Sequence, residues 1–219
     1  MSIDAILTRQ AGVISRAQAL AAGITPGAVD RCVRVRHWLP LHPRVYLVGV
    51  PADPDEVRVR SALLWAGPAA VLGGAAAAWW HGLLGSAPTT LAITVPGRRA
   101  GARPGVLVHR RVLAAADVTT CRGIAVTAEA LTAVEAAVEL GPCGAALLDR
   151  WLRRGVGLGD VEEALRRNPG SAAASRVLAA AVERRARHIR CRSPRHDVIS
   201  DTSRWDHGPT NGPSGLRSG

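Results

Sequence analysis

A mainly helical chain with short β-hairpins, laid out in three parts, is what this sequence predicts. Three observations carry that reading. Apolar residues recur at helical spacing between capping and terminating residues through most of the first 182 positions. Two places break instead into short β-rich runs joined by Gly- and Pro-bearing turns. From Glu183 to Gly219 there are eight Arg and four acids, few aliphatic residues, and an end rich in Gly, Pro and Ser. The parts are accordingly residues 1–50, an α+β unit over 51–182, and a disordered basic tail over 183–219.

Residues 1–50 justify themselves element by element. Ile3, Ile6 and Leu7 form an i, i+3, i+4 stripe for a first helix, closed by Gly12. Ser15 opens a second helix: its hydroxyl can accept from the amide of Gln18 while Gln18 reaches back, a capping box. Gly23 can take the left-handed conformation that ends it. Thr25-Pro26 opens a third, with a hydroxyl at N-cap and proline at N1. Two short helices separated by a Gly-bearing turn form a helix-turn-helix pattern.

The third helix has two faces. Val29, Cys32 and Val33 should pack inward, while Gly27, Asp30, Arg31 and Arg34 share another face at i, i+3, i+4, i+7. Small residues near the N-terminus permit close approach to a groove, and guanidinium groups can grip guanine edges or phosphates bidentately. On its own the same face also suits plain solvation. The next segment decides between the two. Arg36 to Leu41 alternates, His42-Pro43 turns, and Val45 to Val48 is β-rich, which makes a two-stranded wing. Arg36, His37, His42 and Arg44 decorate it and are placed to touch phosphates, and Trp38 and Tyr46 should staple it to the helices. The expected DNA-binding residues are therefore Ser15, Arg16, Thr25, Gly27, Asp30, Arg31, Arg34, Arg36, His42 and Arg44.

The run from Gly12 to Gly23, the Thr25 helix, and Trp38-Leu-Pro-Leu-His-Pro-Arg-Val-Tyr46 resemble the N-terminal winged helix of AbiEi-type antitoxins. The resemblance covers residues 3–49. It implies a type IV toxin–antitoxin regulator, an autorepressor binding double-stranded operator DNA near its own gene, with a nucleotidyltransferase-like toxin as partner. Arg44 stands where the family usually has glycine before Val-Tyr. Many members also carry an endonuclease-like domain similar to the very-short-patch repair nuclease, of which the tail shows no trace. That implies a truncated relative, with the reading frame changed after about residue 182.

In the middle unit, Asp53-Pro54-Asp55-Glu56 is a helix start with Asp53 at N-cap and Pro54 at N1. From Ser61 to Gly97 there is no Asp, Glu or Arg. Pro68, Gly73-Gly74, His81 and Pro88 interrupt the stretch, so a buried core helix is expected rather than a membrane span. His81 reads as a core or cap histidine. Leu91–Val95 and Val106–His109 read as strands of a hairpin around a basic loop with Arg98, Arg99 and Arg103. Thr127 should cap the next helix. There the chain keeps the family's Thr132, with Leu131 and Glu135 in place of an Arg and an Asp. Two further helices follow over roughly 143–154 and 159–167.

Composition bounds the chemistry. The chain has 219 residues and a formal net charge of +11, every one of its 28 basic residues is Arg, and it has no Phe. A basic chain favours anionic partners, nucleic acid first among them. Cys32, Cys121, Cys143 and Cys191 have no metal-finger or disulfide spacing. No catalytic motif appears, so no enzyme activity, metal or cofactor is expected. The start Met-Ser-Ile-Asp has no secretory pattern, which points to the cytoplasm. The alternative to a DNA-binding regulator is a non-enzymatic protein-binding module or a remnant of a nuclease-fused protein. A homodimer through the middle unit is a further expectation.

Overall fold

The structure is a computed structural model that describes residues 2–97, 103–169 and 172–192. Three helices, α1 (Ile3–Arg9), α2 (Arg16–Ala21) and α3 (Pro26–Arg34), combine with three strands, β1 (Val13–Ser15), β2 (Trp38–His42) and β3 (Val45–Val48). The strands form an antiparallel sheet in the order β1-β3-β2. The three helices and the β2–β3 pair expected over residues 1–50 are all present. Strand β1 is not anticipated by the sequence, because Val13-Ile14-Ser15 is only a half-turn of apolar pattern ahead of a cap. Gly12 allows it: at φ +80 it turns the chain, and a Cβ there would stand 2.8 Å from the carbonyl oxygen of Val48 on the partner strand.

Ile6, Ile14, Ala19, Val29, Trp38 and Tyr46 are buried together as the core of this unit. Ile14 and Val29 are fully buried, each contributing about 1.5–3 kcal/mol. Trp38 and Tyr46 meet at 5.7 Å between ring centroids and hold the β2–β3 hairpin to the helices.

Helix α4 (Pro54–Ala66) starts where the sequence places it, with the Asp53 carboxylate accepting from the amides of Asp55 and Glu56 at 2.9 and 3.2 Å. It has no one-sided apolar stripe because it is covered on two sides. Val57 packs with Val13, Val45 and Leu47 of the small sheet. Val59, Ala62, Leu63 and Ala66 belong to the core of the larger sheet. A single helix thus fastens the two units to each other.

The larger sheet contains β4 (Val71–Gly73), β5 (Leu91–Val95), β6 (Val106–Arg110), β7 (Val118–Cys121) and β8 (Ile124–Thr127), in the order β6-β5-β4-β8-β7. Here the sequence reading needs a correction. Strands β5 and β6 pair in parallel, Leu91 opposite Val106 and Val95 opposite Arg110, and are not a hairpin. The intervening segment 96–105 is long enough for either topology: ten extended residues reach roughly 33 Å, while a five-residue strand spans about 17 Å. It carries the chain back to the start of β5, where Leu91 donates to the carbonyl of Gly105 at 2.8 Å. Arg98 and Arg99 of the basic loop lie outside the described residues.

Helix α5 (Gly74–Trp80) is the expected buried Ala-rich helix, with Ala75 to Ala78 and Trp80 all buried. Among the described residues no helix is long and apolar enough to cross a membrane. Helices α6 (Glu129–Glu139), α7 (Gly144–Arg153), α8 (Leu158–Arg167) and α9 (Ala172–Arg192) pack beside it around Leu147, Leu148, Trp151 and Val161. Ala128, not Thr127, occupies the N-cap of α6, one residue from the expected position. The Thr127 hydroxyl instead lies 2.5 Å from that of Thr132, whose Oγ1 donates to the Thr127 carbonyl. Glu135, in the aspartate position of the resembled pattern, pairs with Arg111 just beyond β6.

The C-terminal expectation also changes. Helix α9 runs through Arg192, across the boundary that composition sets at 183. Arginine is a good helix former, so an Arg-rich, apolar-poor stretch resembles a tail by composition while continuing a helix by propensity. Ala181 at this junction is fully buried against the helical core. The remainder of the expected tail, 193–219, lies outside the described residues.

Candidate nucleic-acid interface

The α2–α3 pair is built from local signals. Ser15 accepts from the Gln18 amide at 3.2 Å, and the Gln18 side chain accepts from the Ser15 amide at 3.0 Å, closing the capping box. Gly23 turns the chain at φ +92. Thr25 accepts from the Ala28 amide at 3.3 Å with Pro26 at the first helical position. The Ser15 and Thr25 hydroxyls are thus committed to helix caps, so their part in an interface is to aim the helices.

Helix α3 divides as the sequence predicts. Val29 is buried and Cys32 and Val33 are half-buried against the core, while Gly27, Asp30, Arg31 and Arg34 are exposed on the opposite side. Around Gly27 the space is open: no atom lies within 4 Å of where a Cβ would stand. Arg16 crosses from α2 to bind Asp30 with two nitrogens, at 2.6 and 3.2 Å. Hydrogen bonding to Arg16 holds the Asp30 carboxyl below its ordinary range, against partial desolvation, with the charges of Arg16 and Arg34 assisting. Arg16 is in turn held firmly protonated by its bonds to Asp30 and to Tyr46. The one acid on this face is therefore neutralised, and the cations Arg31 and Arg34 set its charge.

The turn residues are unusual. Arg36 at φ +58 and Arg44 at φ +63 are non-glycine residues in the left-handed region, each at a backbone cost of about 1–2 kcal/mol. Arg44 occupies the glycine position of the resembled family, and its φ explains that preference. Both side chains are exposed. His42 departs from the expected phosphate-facing role. Its ring stacks on Trp65 of α4 at 5.5 Å and 22°, half-buried, and burial followed by the nearby Arg103 charge pushes its pKa down. At neutral pH it is a packing ring between the β2–β3 hairpin and α4.

Sequence reasoning misses one feature altogether. A cleft of about 980 Å³ opens between α2, the β2–β3 turn, α4 and the β7–β8 turn, lined among others by Arg16, Arg44, Arg60 and Trp65. Its walls come from five separate segments, so no local pattern announces it. A smaller cleft of about 430 Å³ lies beside Asp117, Asp160, Glu163 and Arg167.

Among the described residues no group of three or more His, Cys, Asp or Glu side chains is placed to hold a metal ion. Cys32, Cys121 and Cys143 are free thiols. His81 sits at the C-cap of α5 with its Nε2 3.0 Å from the Thr127 carbonyl and its ring edge-on to Trp151, the core histidine the sequence predicts.

These elements define an α+β protein: a small three-helix, three-strand unit with a cationic helix face, joined through α4 to a five-stranded sheet and its helical layer. The chain belongs to the family of the AbiEi antitoxin C-terminal domain, whose model matches residues 68–194. The resemblance seen in sequence lies on residues 3–49, so the matched region is the other part of the chain. The match also runs past residue 182, the boundary that composition sets for the tail. Among solved structures, the RV2827C protein from Mycobacterium tuberculosis has a similar fold. It has a TM-score of 0.53 and 20% identity, over 81% of this chain and 75% of that one. No match to a curated protein is found.

Proposed function

We propose that this chain is a DNA-binding transcriptional regulator of the toxin–antitoxin kind, an autorepressor of its own operator that works by binding rather than catalysis. The observation that carries the reading is the outward face of α3. Arg31 and Arg34 stand exposed beyond an open Gly27, on the second helix of a capped pair. The N-terminal part of such a helix is what reads base edges in a major groove, and guanidinium groups are suited to guanine. The order helix, strand, helix, helix, strand, strand and the sheet order β1-β3-β2 support a winged helix-turn-helix over residues 1–50. Arg16 holds α2 against α3 through Asp30, while Arg36 and Arg44 are the phosphate contacts. Family membership supports a toxin partner. We assign that contact, with a nucleotidyltransferase-like toxin, to residues 51–182, together with homodimer formation and a cytoplasmic site of action.

The test is a mobility-shift titration of the full chain on its upstream DNA, with competitor and at several salt concentrations. Specific binding survives competitor. If about five phosphates are neutralised, log affinity falls against log salt with a slope of about −4 to −5. Binding that is weak and fully abolished by competitor overturns the reading.

Arg31→Ala is expected to weaken operator binding by about 1–3 kcal/mol and to relax the preference at one base pair. Titrating a panel of single-base operator variants checks this. An equal loss on every sequence makes Arg31 a phosphate contact instead.

A further inference from the structure

The large cleft has a charge pattern that DNA reading leaves partly unused. Arg16, Arg44 and Arg60 line it, and among the described residues no Asp or Glu does. Asp30 and Glu56, which bind Arg16 and Arg60, stand outside the lining. Arg44 has no acidic partner among the described residues. Between the arginines lie the apolar side chains of Leu20, Leu64 and Trp65.

The walls are preformed. Gln10 and Gln18 exchange two side-chain amide hydrogen bonds, at 3.2 and 3.0 Å. Arg60 is only 7% exposed, fixed by Glu56 at 2.8 Å and by the carbonyl of Arg122 at 3.0 Å. A preorganised site of this kind loses little freedom on binding.

We propose that this cleft docks an acidic peptide segment of a partner protein, one that alternates carboxylates with aliphatic side chains, and that docking competes with operator DNA for Arg44. The competition rests on the DNA reading above; the docking does not. Mixed cationic and apolar lining favours peptide over nucleic acid. A phosphate backbone offers nothing to Leu20 and Leu64. Single-stranded bases need an aromatic platform. Trp65 is the cleft's one aromatic residue among those described, and His42 already stacks on it, with the Arg103 guanidinium 5.8 Å from its ring centroid.

The experiment is fluorescence anisotropy of a labelled peptide of alternating Glu and Leu, titrated with the full chain. A peptide of the same length alternating Glu and Gly controls for bulk charge. The Glu–Leu peptide is expected to bind about tenfold or more tightly than its control, since leucine burial adds to the charge term. Ala125→Glu, on the far wall, is expected to weaken it about tenfold by like-charge repulsion. Ala17→Glu adds an acid to the first turn of α2, where a helix accepts one, and is expected to act likewise. Upstream DNA should release the peptide.

Equal affinity for the two peptides, or undiminished binding in both variants, overturns the docking site. A single-stranded oligonucleotide that binds more tightly than the peptide and weakens as much in Ala125→Glu overturns the choice of occupant. Specific DNA binding that leaves the peptide in place overturns the competition. Peptide binding without specific DNA binding strikes the regulator reading and leaves the docking site standing.

Discussion

Gly144→Ala is expected to destabilise the chain by about 3 kcal/mol or more, the largest effect of any single added methyl group considered. Gly144 opens α7 in ordinary helical geometry, at φ −63 and ψ −40, so its role is not conformational freedom. A Cβ there would fall 1.8 Å from the carbonyl oxygen of Ala137, 2.5 Å from its carbonyl carbon and 2.8 Å from its Cα. All three are backbone atoms of α6, and none can swing aside. The remaining relief is to move α7 off α6, which opens the core at Leu147, Leu148 and Trp151, all of them buried. Glycine to alanine inside a helix ordinarily stabilises by about 1 kcal/mol, so the sign of the change is diagnostic. Gly159→Ala is the matched control, since α8 leaves nothing within 4 Å of that position. Urea denaturation followed by tryptophan fluorescence reads both. An unchanged midpoint for Gly144→Ala would refute the close α6–α7 contact.

The sequence speaks most plainly where the signal is local, the Thr127 cap excepted. The capping box at Ser15, Thr25-Pro26 and the Asp53 cap each lie within one helical turn and the two faces of α3 within about two, and each stands as read. What is hidden is non-local. The parallel pairing of β5 with β6 cannot be read from the segment between them, which is long enough for either orientation. The N-terminus of α5 is satisfied from far along the chain. Glu135 accepts from the Gly74 amide at 3.1 Å and Glu139 from the Ala75 amide at 2.7 Å. Gly74 explains how: at φ +58, a Cβ there would lie 2.2 Å from the Glu139 carboxylate oxygen. In sequence, Gly73-Gly74 reads only as a break in an apolar run.

The interface divides in the same way. Periodicity exposes Asp30, Arg31 and Arg34, because it reports one helix. It says nothing of Arg16 reaching Asp30 across the turn. It also leaves His42 on the wing, since the ring's partner, Trp65, is 23 positions away on α4.

Arg167→Ala is expected to lower the melting temperature by on the order of 10 °C at neutral pH and to reverse the sign of its pH dependence. Asp117 is 1% exposed, just ahead of β7. Burial alone would raise its carboxyl pKa. It is outweighed by hydrogen bonds from Arg167 and Asn168 and by the charges of Arg167 and Arg111, so the carboxyl stays below its ordinary range. Arg167 supplies Nε at 3.1 Å and Nη2 at 2.6 Å to one oxygen, and Asn168 donates to the other at 2.7 Å. This cluster ties the end of α8 to the edge of the larger sheet.

With the folded pKa below the unfolded value of about 3.9, the unfolded chain binds more protons in that window. The pair's contribution is therefore full above that value and is lost as pH falls through the folded pKa. Without Arg167, desolvation of a buried carboxylate dominates and the folded pKa rises above the unfolded one. The native state then binds more protons between the two values, and this site's contribution falls as pH rises through them. Asp117→Asn removes the titrating group and should flatten this part of the profile. Melting curves for the wild type and both variants from about pH 2 to 7 separate the three cases. Parallel profiles for wild type and Arg167→Ala would show that Asp117 is stabilised by something other than this arginine.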